Sequence, residues 1–304
     1  MSRRVSAIDV GSNAIRMIVA DILESAPFIS IIKKFRAPVR LGHDVFTNGI
    51  IGPASIEIAK NTFMQFAEIN QKFQVQNYRA VATSASREAS NSTEFLNEIR
   101  NSSGINVELI DGTKEGQLIH LAVSKEVELG NKKTMLIDIG GGSVEITFSK
   151  GSTIVDTKSF PMGTVRILET LTKRKMNENH LNILMGEFIG ELTSHIYKNC
   201  DHDPVSFAIG TGGNLECLGQ LKLHLLKKSP KSFLTLAELN EIIEKLRAHS
   251  IKDRIEKLHL KPDRADVIVP AAVMVQTIMR QAETQKIVIP GVGLRDGLIW
   301  SMID

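Results

Sequence analysis

The chain has 304 residues, 42% of them hydrophobic, and at roughly 150 residues per domain this length predicts two folded domains. Lys plus Arg number 37 and Asp plus Glu number 34, so the net charge of +3 excludes a histone-like polycation. No apolar run approaches the roughly 20 residues of a membrane-spanning helix, and Cys200 and Cys217 show no CxxC or zinc-binding spacing. These features predict a cytoplasmic protein without disulfides and without membrane association.

The first part of the chain alternates strand-like and helix-like segments. Between the first two predicted strands stand the turn formers Gly11-Ser12-Asn13-Ala14, which predict a tight antiparallel connection. The predicted order is strands over 5–10, 15–22 and 28–34, a glycine-punctuated loop over 41–52, a helix over 53–69, a strand over 78–82, a helix over 91–100, a strand over 105–110 and a helix over 113–129.

A second round of the same pattern begins with a predicted strand over 135–139. Asp138 stands before Gly140-Gly141-Gly142 as Asp9 stands before Gly11-Ser12-Asn13, at an offset of 138 − 9 = 129 residues. We interpret this as a duplication of a whole domain, because nothing recurs at the shorter periods of solenoid repeats. Further segments are predicted as a helix over 177–198, a strand over 205–209, a helix through 247 with the capping box Thr235 and Glu238, a helix over 271–279 and a strand over 286–289. This alternation predicts the α/β class.

The two units of strand, Asp, glycine turn and strand carry the main chemical signal. Glycine-rich turns direct several backbone N–H groups at one anion, and a carboxylate beside them would repel a phosphate unless a cation lay between. The pairing therefore predicts a divalent metal ion bound with a phosphate. Glycines that merely permit a tight hairpin would give the same local sequence, although two such units with an Asp at the same place favour the site.

Three other segments have both a functional and a structural interpretation. Glu145 shares a strand face with Ser143, which lines a cleft or is simply solvated. Glu115 lies in the first turn of a helix that Thr113 would cap, where a carboxylate stabilises the helix or serves catalysis. Arg87 follows a stretch of small residues and binds phosphate or packs on the next helix.

Nucleotide and nucleic-acid motifs are weak or missing. The segment 210–214 has a glycine turn before a helix, which by itself is a weak phosphate site. The patterns GxGxxG and GxxxxGK[ST] are both absent. Aromatic residues make up only 5% and do not interleave with the basic clusters, so recognition of nucleic acid by stacking is not expected.

Taken in order, these segments resemble the exopolyphosphatase / guanosine pentaphosphate phosphatase (Ppx/GppA) family from end to end. This family is a branch of the actin, sugar kinase and heat-shock chaperone superfamily. The segments that carry the resemblance are 7–13, Arg16, 82–91, Glu115, 138–145, 210–213 and 293–297. The resemblance implies an α/β protein of two RNase H-like domains flanking a central cleft, each with a mixed five-stranded sheet. The implied domains are 1–122 and 123–296, with 297–304 packing back on the first.

The resemblance also implies a role for individual residues. Glu115 would be the general base that activates water, and Asp138, Glu145 and the nearby Asp9 would hold Mg²⁺. Phosphate would be bound by a set of loop residues and one arginine, namely Gly11, Ser12, Asn13, Gly141, Gly142, Ser143 and Arg87. The remaining cleft residues would be Arg16, Ser84, Gly212, Gly213 and Arg295.

Three positions depart from the family pattern. Ala14 replaces a Ser or Thr of the first loop, Lys114 replaces an acidic neighbour of Glu115, and Gln117 replaces a common Arg. These departures bear on substrate preference. The chain also ends where longer members begin a further helical domain, from which we expect weaker processivity or a preference for short substrates.

The implied function is Mg²⁺-dependent hydrolysis of terminal phosphoanhydride bonds of inorganic polyphosphate, with guanosine penta- or tetraphosphate as a second partner. No specific nucleic-acid partner is expected, and a homodimer is left open. Two alternatives remain, a sensor that binds alarmone nucleotides with little or no turnover and a small-molecule kinase of the same superfamily. Phosphate release without an acceptor would separate the hydrolase from the kinase.

Overall fold

The computed structural model describes residues 2–23, 28–200 and 203–303, so the outermost residues of the predicted domains, 1 and 304, lie outside it. The chain divides into two compact units, Met1–Ala122 with Gly293–Asp304 and Val123–Val292. None of the helices among the described residues is long and apolar enough to cross a lipid bilayer.

The first unit is built on a mixed five-stranded sheet of order β3-β2-β1-β4-β5. The first three strands are antiparallel neighbours, whereas β4 and β5 run parallel to β1. This order is that of an RNase H-like sheet. The strands are β1 (Ser2–Val10), β2 (Ile15–Leu23), β3 (Phe28–Ala37), β4 (Asn77–Ala82) and β5 (Glu108–Leu109).

Helices cover both faces of this sheet. One face carries the apolar cluster that includes Ile8, Met17 and Phe63, and the other face carries a helix from the C-terminal segment. The helices are α1 (Leu41–Asn48), α2 (Pro53–Lys72), α3 (Ser84–Glu88), α4 (Ser92–Ser103) and α5 (Gly112–Glu126), together with α13 (Leu294–Trp300).

The second unit has a six-stranded sheet of order β10-β11-β9-β6-β7-β8, one strand more than the five that the resemblance implies. The extra strand is β10, which pairs antiparallel with β11 at the edge of the sheet. The other five strands repeat the pairing of the first unit. The strands are β6 (Lys133–Ile139), β7 (Val144–Lys150), β8 (Thr153–Phe160), β9 (Phe207–Thr211), β10 (Phe233–Thr235) and β11 (Lys286–Val288).

Four helices of the second unit pack against the largely apolar helix α12, in which ten residues are buried. The predicted capping box is confirmed, since Thr235 Oγ1 accepts from the Glu238 amide at 3.1 Å and starts α9. A 3-10 turn, Glu178–His180, precedes α7, and a π-helical turn, Lys222–Leu226, follows α8. The α-helices are α6 (Thr164–Lys173), α7 (Leu181–Cys200), α8 (Gly212–Leu221), α9 (Leu236–Arg247), α10 (Ile251–Glu256), α11 (Pro262–Ala265) and α12 (Ile268–Gln281).

Two sequence predictions in the first unit are wrong. The segment 41–52 was predicted as a loop because of its glycines, yet 41–48 is the helix α1. Gly49 is the left-handed C-cap of this helix (φ 77°), and Gly42 contacts Ser12, where a side chain would not fit. The strand predicted over 105–110 is only two residues long, because β5 pairs with β4 at Glu108 and Leu109 alone.

Candidate active site

The loop between β1 and β2 is a four-residue turn held by its own backbone and by two helices. The Gly11 amide donates to the Ala14 carbonyl at 3.2 Å, as expected for a tight turn. Ser12 Oγ accepts from the Ala85 amide of α3 at 3.2 Å, and the Ser12 carbonyl accepts from the Gly42 amide of α1 at 2.8 Å. In a trans peptide the next N–H points opposite to the carbonyl, so the Asn13 amide points away from α1.

Asp9 stands directly before this turn and is paired with a cation. Asp9 and Arg16 are directly opposite in the β1–β2 register, and Arg16 Nη1 donates to Asp9 Oδ2 at 3.2 Å. The Asp9 carboxylate, 9% exposed, is therefore neutralised by a neighbouring guanidinium. An ion pair of this kind competes with a metal ion for the carboxylate.

Glu115 lies in the first turn of α5 and is 7% exposed. The helix is capped by Asp111 and not by Thr113 as predicted, since Asp111 Oδ1 accepts from the Lys114 amide at 2.7 Å. This cap holds the first turn, and the helix dipole favours a carboxylate there. The neighbouring departures Lys114 and Gln117 are both exposed, whereas Ala14 is buried.

Arg87 lies on the short helix α3, close in space to the start of α5. Its Nη1 donates to the Ile110 carbonyl at 2.7 Å, just before the Asp111 cap. Ser84, at the start of α3, donates to Glu88 Oε1 at 3.0 Å and is buried. The first unit thus brings the β1–β2 turn, α3 and the start of α5 together, with Ser12 and Arg87 as the links.

The loop between β6 and β7 repeats this turn in the second unit. The Gly140 amide donates to the Ser143 carbonyl at 3.0 Å, which is the bond that Gly11 makes to Ala14. The carbonyls of Gly140 and Gly141 accept from the first amides of α6 (Thr164, Val165), at 3.0 and 2.8 Å. A side chain at Gly163 would lie 2.4 Å from the Gly142 backbone, so only glycine allows this close approach.

The contacts of the loop carbonyls with α6 determine where the backbone amides of Gly141, Gly142 and Ser143 point. The Gly142 carbonyl accepts from Arg166 Nε at 2.8 Å and from the Gly163 amide at 3.2 Å. All three glycine carbonyls therefore point at α6. Because each following N–H points the opposite way, the amides of Gly141, Gly142 and Ser143 all point away from α6.

Asp138 and Glu145 lie directly opposite each other at the ends of β6 and β7. Glu145 is 2% exposed and Asp138 is 9% exposed. One carboxylate oxygen of each lies within 4.8 Å of the other. Hydroxyl groups orient both, since Ser159 Oγ donates to Glu145 Oε1 at 2.7 Å and Thr211 Oγ1 donates to Asp138 Oδ1 at 2.5 Å.

The turn from β9 to α8 closes around Asp138. Gly212 has a φ of +85°, and a side chain there would lie 3.1 Å from Asp138 Oδ1. Gly213 follows in the first turn of α8. Asn214 of this turn donates to the Ile139 carbonyl at 3.2 Å, and Arg264 donates to Asn214 Oδ1. Gly212 of this turn therefore lies beside the Asp138 carboxylate.

Arg295, the last predicted cleft residue, lies in the first turn of α13 and is half-buried. Helix α13 belongs to the first unit and lies against α5, where Gly297 meets the Leu118 carbonyl. The helix begins with the bond from the Gly293 amide to Asp296 Oδ2 at 2.9 Å.

Four residues that support these loops were not predicted. They are the donors Arg40, Arg166, Ser159 and Thr211. Arg40 Nε donates to Asn13 Oδ1 at 2.9 Å, which fixes the side chain at the tip of the first loop. Of these four residues, only Thr211 could have been predicted from the sequence, because it lies within the predicted glycine turn. The other three contact their loops from distant positions in the chain.

The donor set of the second unit fits a magnesium ion. Two buried carboxylates face each other, and their like charges are costly unless a cation or a proton is shared. Carboxylate oxygens are the ligands that Mg²⁺ prefers, and Mg²⁺ commonly retains several waters with only one or two protein carboxylates. The thiols are poor candidates for chemistry, because burial raises the pKa of Cys217 to about 11 and also raises the pKa of Cys200.

Comparison with known proteins agrees with this geometry. A family model described as the Ppx/GppA phosphatase family matches residues 18–304. The chain is 25% identical over 312 residues to the guanosine-5'-triphosphate,3'-diphosphate pyrophosphatase of Aliivibrio fischeri; the match covers 100% of this chain and 60% of that protein. The chain thus spans less than two thirds of that relative's length.

Two solved structures are similar over nearly the whole chain. The Aquifex aeolicus member of the Ppx/GppA family has a TM-score of 0.79 at 26% identity, covering 100% of this chain and 98% of the other. An exopolyphosphatase from Cytophaga hutchinsonii has a TM-score of 0.88 at 25% identity, covering 99% and 98%.

The fold and the two loops define an α/β protein made of two RNase H-like units, each with an acidic residue before a glycine turn. The family model matches nearly the whole of this chain, and the chain belongs to the Ppx/GppA phosphatase family.

Proposed function

We propose that this protein hydrolyses the terminal phosphoanhydride bond of inorganic polyphosphate and releases orthophosphate, with guanosine pentaphosphate as a second substrate. The observation that carries the proposal is the buried pair Asp138 and Glu145 beside three amides that point away from α6. A carboxylate pair that could hold a metal ion, next to amides that could bind an anion, suits a phosphoryl group. Membership in a phosphatase family supports it.

In this proposal both units supply residues to the reaction. Glu115 accepts the proton of the attacking water, a role that typically contributes about 10²–10⁴-fold to the rate. The amides of Ser12, Asn13, Gly141, Gly142 and Ser143 bind phosphate oxygens. The Gly11 amide donates to the Ala14 carbonyl, so we assign Gly11 to forming the turn and not to binding phosphate.

The positively charged side chains orient the anion. Arg87 bonds the Ile110 carbonyl through Nη1, and we propose that its other donors hold a phosphate oxygen. Ser84, Arg16, Arg295, Gly212 and Gly213 shape the surroundings of the phosphate. Asp9 neutralises Arg16 and contributes to Mg²⁺ binding less directly than Asp138 and Glu145, because of its ion pair. A bound Mg²⁺ supplies charge stabilisation for the phosphoryl group in the transition state.

Phosphate release is the direct test of this function. Long polyphosphate, tripolyphosphate, guanosine pentaphosphate and ATP are incubated with the purified chain, with and without Mg²⁺, and orthophosphate is measured over time. We expect release from polyphosphate that depends on Mg²⁺ and needs no phosphate acceptor. No release from any of these substrates would contradict the proposed hydrolysis.

The variant Glu115→Gln tests the assignment of the base. We expect phosphate release to fall at least about 100-fold while the affinity for polyphosphate stays close to that of the wild type. The matched control is Glu126→Gln, which removes an exposed carboxylate at the other end of the same helix and should leave release unchanged. Near-normal release by Glu115→Gln would overturn the assignment.

A further inference from the structure

A row of positive side chains crosses the sheet of the first unit and starts at the Asp9–Arg16 pair. Asp9 is directly opposite Arg16 in the β1–β2 register, and Arg16 is directly opposite Arg36 in the β2–β3 register. Directly opposite residues project from the same face, with Cβ atoms about 5 Å apart. The hydrogen bond from Arg16 to Asp9 confirms that these two side chains share a face.

Lys34 continues this row along β3 toward solvent. It lies two residues before Arg36 and opposite Ile18, so strand alternation places it on the same face about 7 Å further along the strand. The irregularity in the β2–β3 pairing lies between Val19 and Ala20, and the alternation from 34 to 36 is therefore undisturbed. We call Arg16, Arg36 and Lys34 the cationic row.

Exposure increases steadily along the cationic row. The Arg16 side chain is 23% exposed, Arg36 is half-buried, and Lys34 is exposed. The row therefore runs from beside the Asp9 turn, where we place phosphate, to the surface of the unit. An elongated ligand could follow this path from the buried end to water.

The charge of this segment is of one sign only. Residues 28–43 contain Lys33, Lys34, Arg36 and Arg40 and no Asp or Glu. Among the residues that the structure describes, no acidic side chain forms an ion pair with Lys34.

The same face offers these strands no ring for stacking on a base. The aromatic residues of β1, β2 and β3 are Phe28 and Phe35, and their cross-strand partners, Leu23 and Met17, lie on the opposite face from Arg16. Stacking on aromatic rings is the usual way to hold a base. The three side chains of the row can therefore contact a ligand through charge, and these strands add no stacking contact to a base.

We propose that the cationic row binds the part of a linear inorganic polyphosphate that lies beyond the phosphate being hydrolysed. The row then decides the preference for chain length, because only a chain long enough to reach Lys34 gains the outer contact. This inference rests on the proposed function. It adds a subsite, in the first unit alone, that the reacting phosphate does not occupy.

Charge reversal at two neighbouring lysines tests the subsite. Lys34→Glu removes the outer contact, and Lys33→Glu is its matched control, because both lysines are exposed and adjacent but point to opposite faces of β3. Binding of long polyphosphate and of tripolyphosphate is measured directly at about 0.1 M ionic strength, where the screening length is about 10 Å. Phosphate release is measured in parallel.

We expect Lys34→Glu to weaken binding of long polyphosphate roughly tenfold and to change the affinity for tripolyphosphate less than about twofold. Lys33→Glu should change neither affinity by more than about twofold. Equal weakening by both variants, equal weakening for both ligands, or no weakening at all would overturn the subsite.

The two proposals fail in different ways. If the wild type binds long polyphosphate with the expected Lys34 dependence but releases no phosphate, the subsite stands and the hydrolysis does not. If phosphate is released and Lys34→Glu behaves as the wild type, the hydrolysis stands and the subsite does not. If the wild type binds no polyphosphate, both proposals are wrong.

Discussion

Asp9 and Asp138 occupy the same register position in their sheets, yet their cross-strand partners carry opposite charges. Asp9 faces Arg16 at 3.2 Å, whereas Asp138 faces Glu145. One unit therefore holds a neutralised carboxylate, and the other holds two carboxylates whose repulsion a divalent cation would remove. A single residue difference at one register position, Arg16 against Glu145, thus gives one unit a carboxylate–guanidinium pair and the other unit a carboxylate pair.

The variant Asp138→Asn tests this difference without relying on activity. It keeps the size of the side chain and the acceptor for Thr211 but removes one charge from the pair. Without Mg²⁺ we expect the variant to unfold at a higher temperature than the wild type, by roughly 2–4 °C if the relieved repulsion is about 1 kcal/mol. Added Mg²⁺ should raise the unfolding temperature of the wild type only.

The control for this experiment is Glu216→Gln, which removes an exposed carboxylate of α8 in the same unit. Its response to Mg²⁺ should match that of the wild type. Thermal unfolding followed by circular dichroism, with and without Mg²⁺, gives all the values. An equal rise with Mg²⁺ in Asp138→Asn and the wild type would argue against Asp138 as a ligand.

At the scale of secondary-structure elements, close backbone contacts set the positions of the catalytic candidates. Helix α6 meets the 140–142 loop through Gly163, and α13 meets α5 through Gly297, where a side chain would lie 1.9 Å from the Leu118 carbonyl. Arg3 and Arg79 also bind the end of α13, at Met302 and Ser301, with distances of 2.5 and 2.7 Å. These bonds fix the segment after α13 to β1 and β4, and the close contact at Gly297 places α5 against α13.

The variant Gly297→Ala is expected to lower the free energy of unfolding by about 1–3 kcal/mol, because α13 must move away from α5 to admit the methyl group. Gly186→Ala in α7 is the matched control. Nothing lies within 4 Å of a side chain at that position, so the exchange should raise the free energy of unfolding by about 0.5–1 kcal/mol. Urea unfolding measures both, and equal effects would contradict the packing argument.

At the scale of the whole molecule, the first unit is discontinuous in sequence and the second is continuous. Residues 293–304 belong with residues 1–122, and α13 packs on β1 with Leu298 and Ile299 fully buried. The second unit spans 123–292 without interruption. The core of the first unit is therefore incomplete without the segment 293–304.

Separate expression of the units tests this organisation. We expect residues 123–292 to show a cooperative urea transition alone, and residues 1–122 to show one only when 293–304 is joined to them through a linker. Residues 1–122 alone would lack the apolar side chains that α13 buries against β1. Burial of each such side chain stabilises the fold by about 1.5–3 kcal/mol. A cooperative transition of the same midpoint for 1–122 with and without that segment would argue against it.

The sequence alone was sufficient for the features set by local rules. The acid before each glycine turn, the tight β1–β2 turn, the capping box at Thr235 and the α/β class all follow from patterns of a few neighbouring residues, and all appear in the structure. The family resemblance rested on the same local motifs. The roles of Glu115 and of the phosphate-binding residues stay predictions that the experiments above address.

Only the tertiary structure decided what depends on contacts between distant segments. The sequence predicts a loop where α1 lies, because glycines are typical of loops. In the structure Gly49 is the C-cap of α1 and Gly42 allows the close contact with Ser12, and neither role is visible in the sequence. Strand register decides that Asp9 is paired with Arg16 and that the cationic row lies on one face of the sheet. Helix packing decides that the amides of the 140–143 loop point away from α6. Register and packing are properties of segments far apart in sequence, which no local pattern contains.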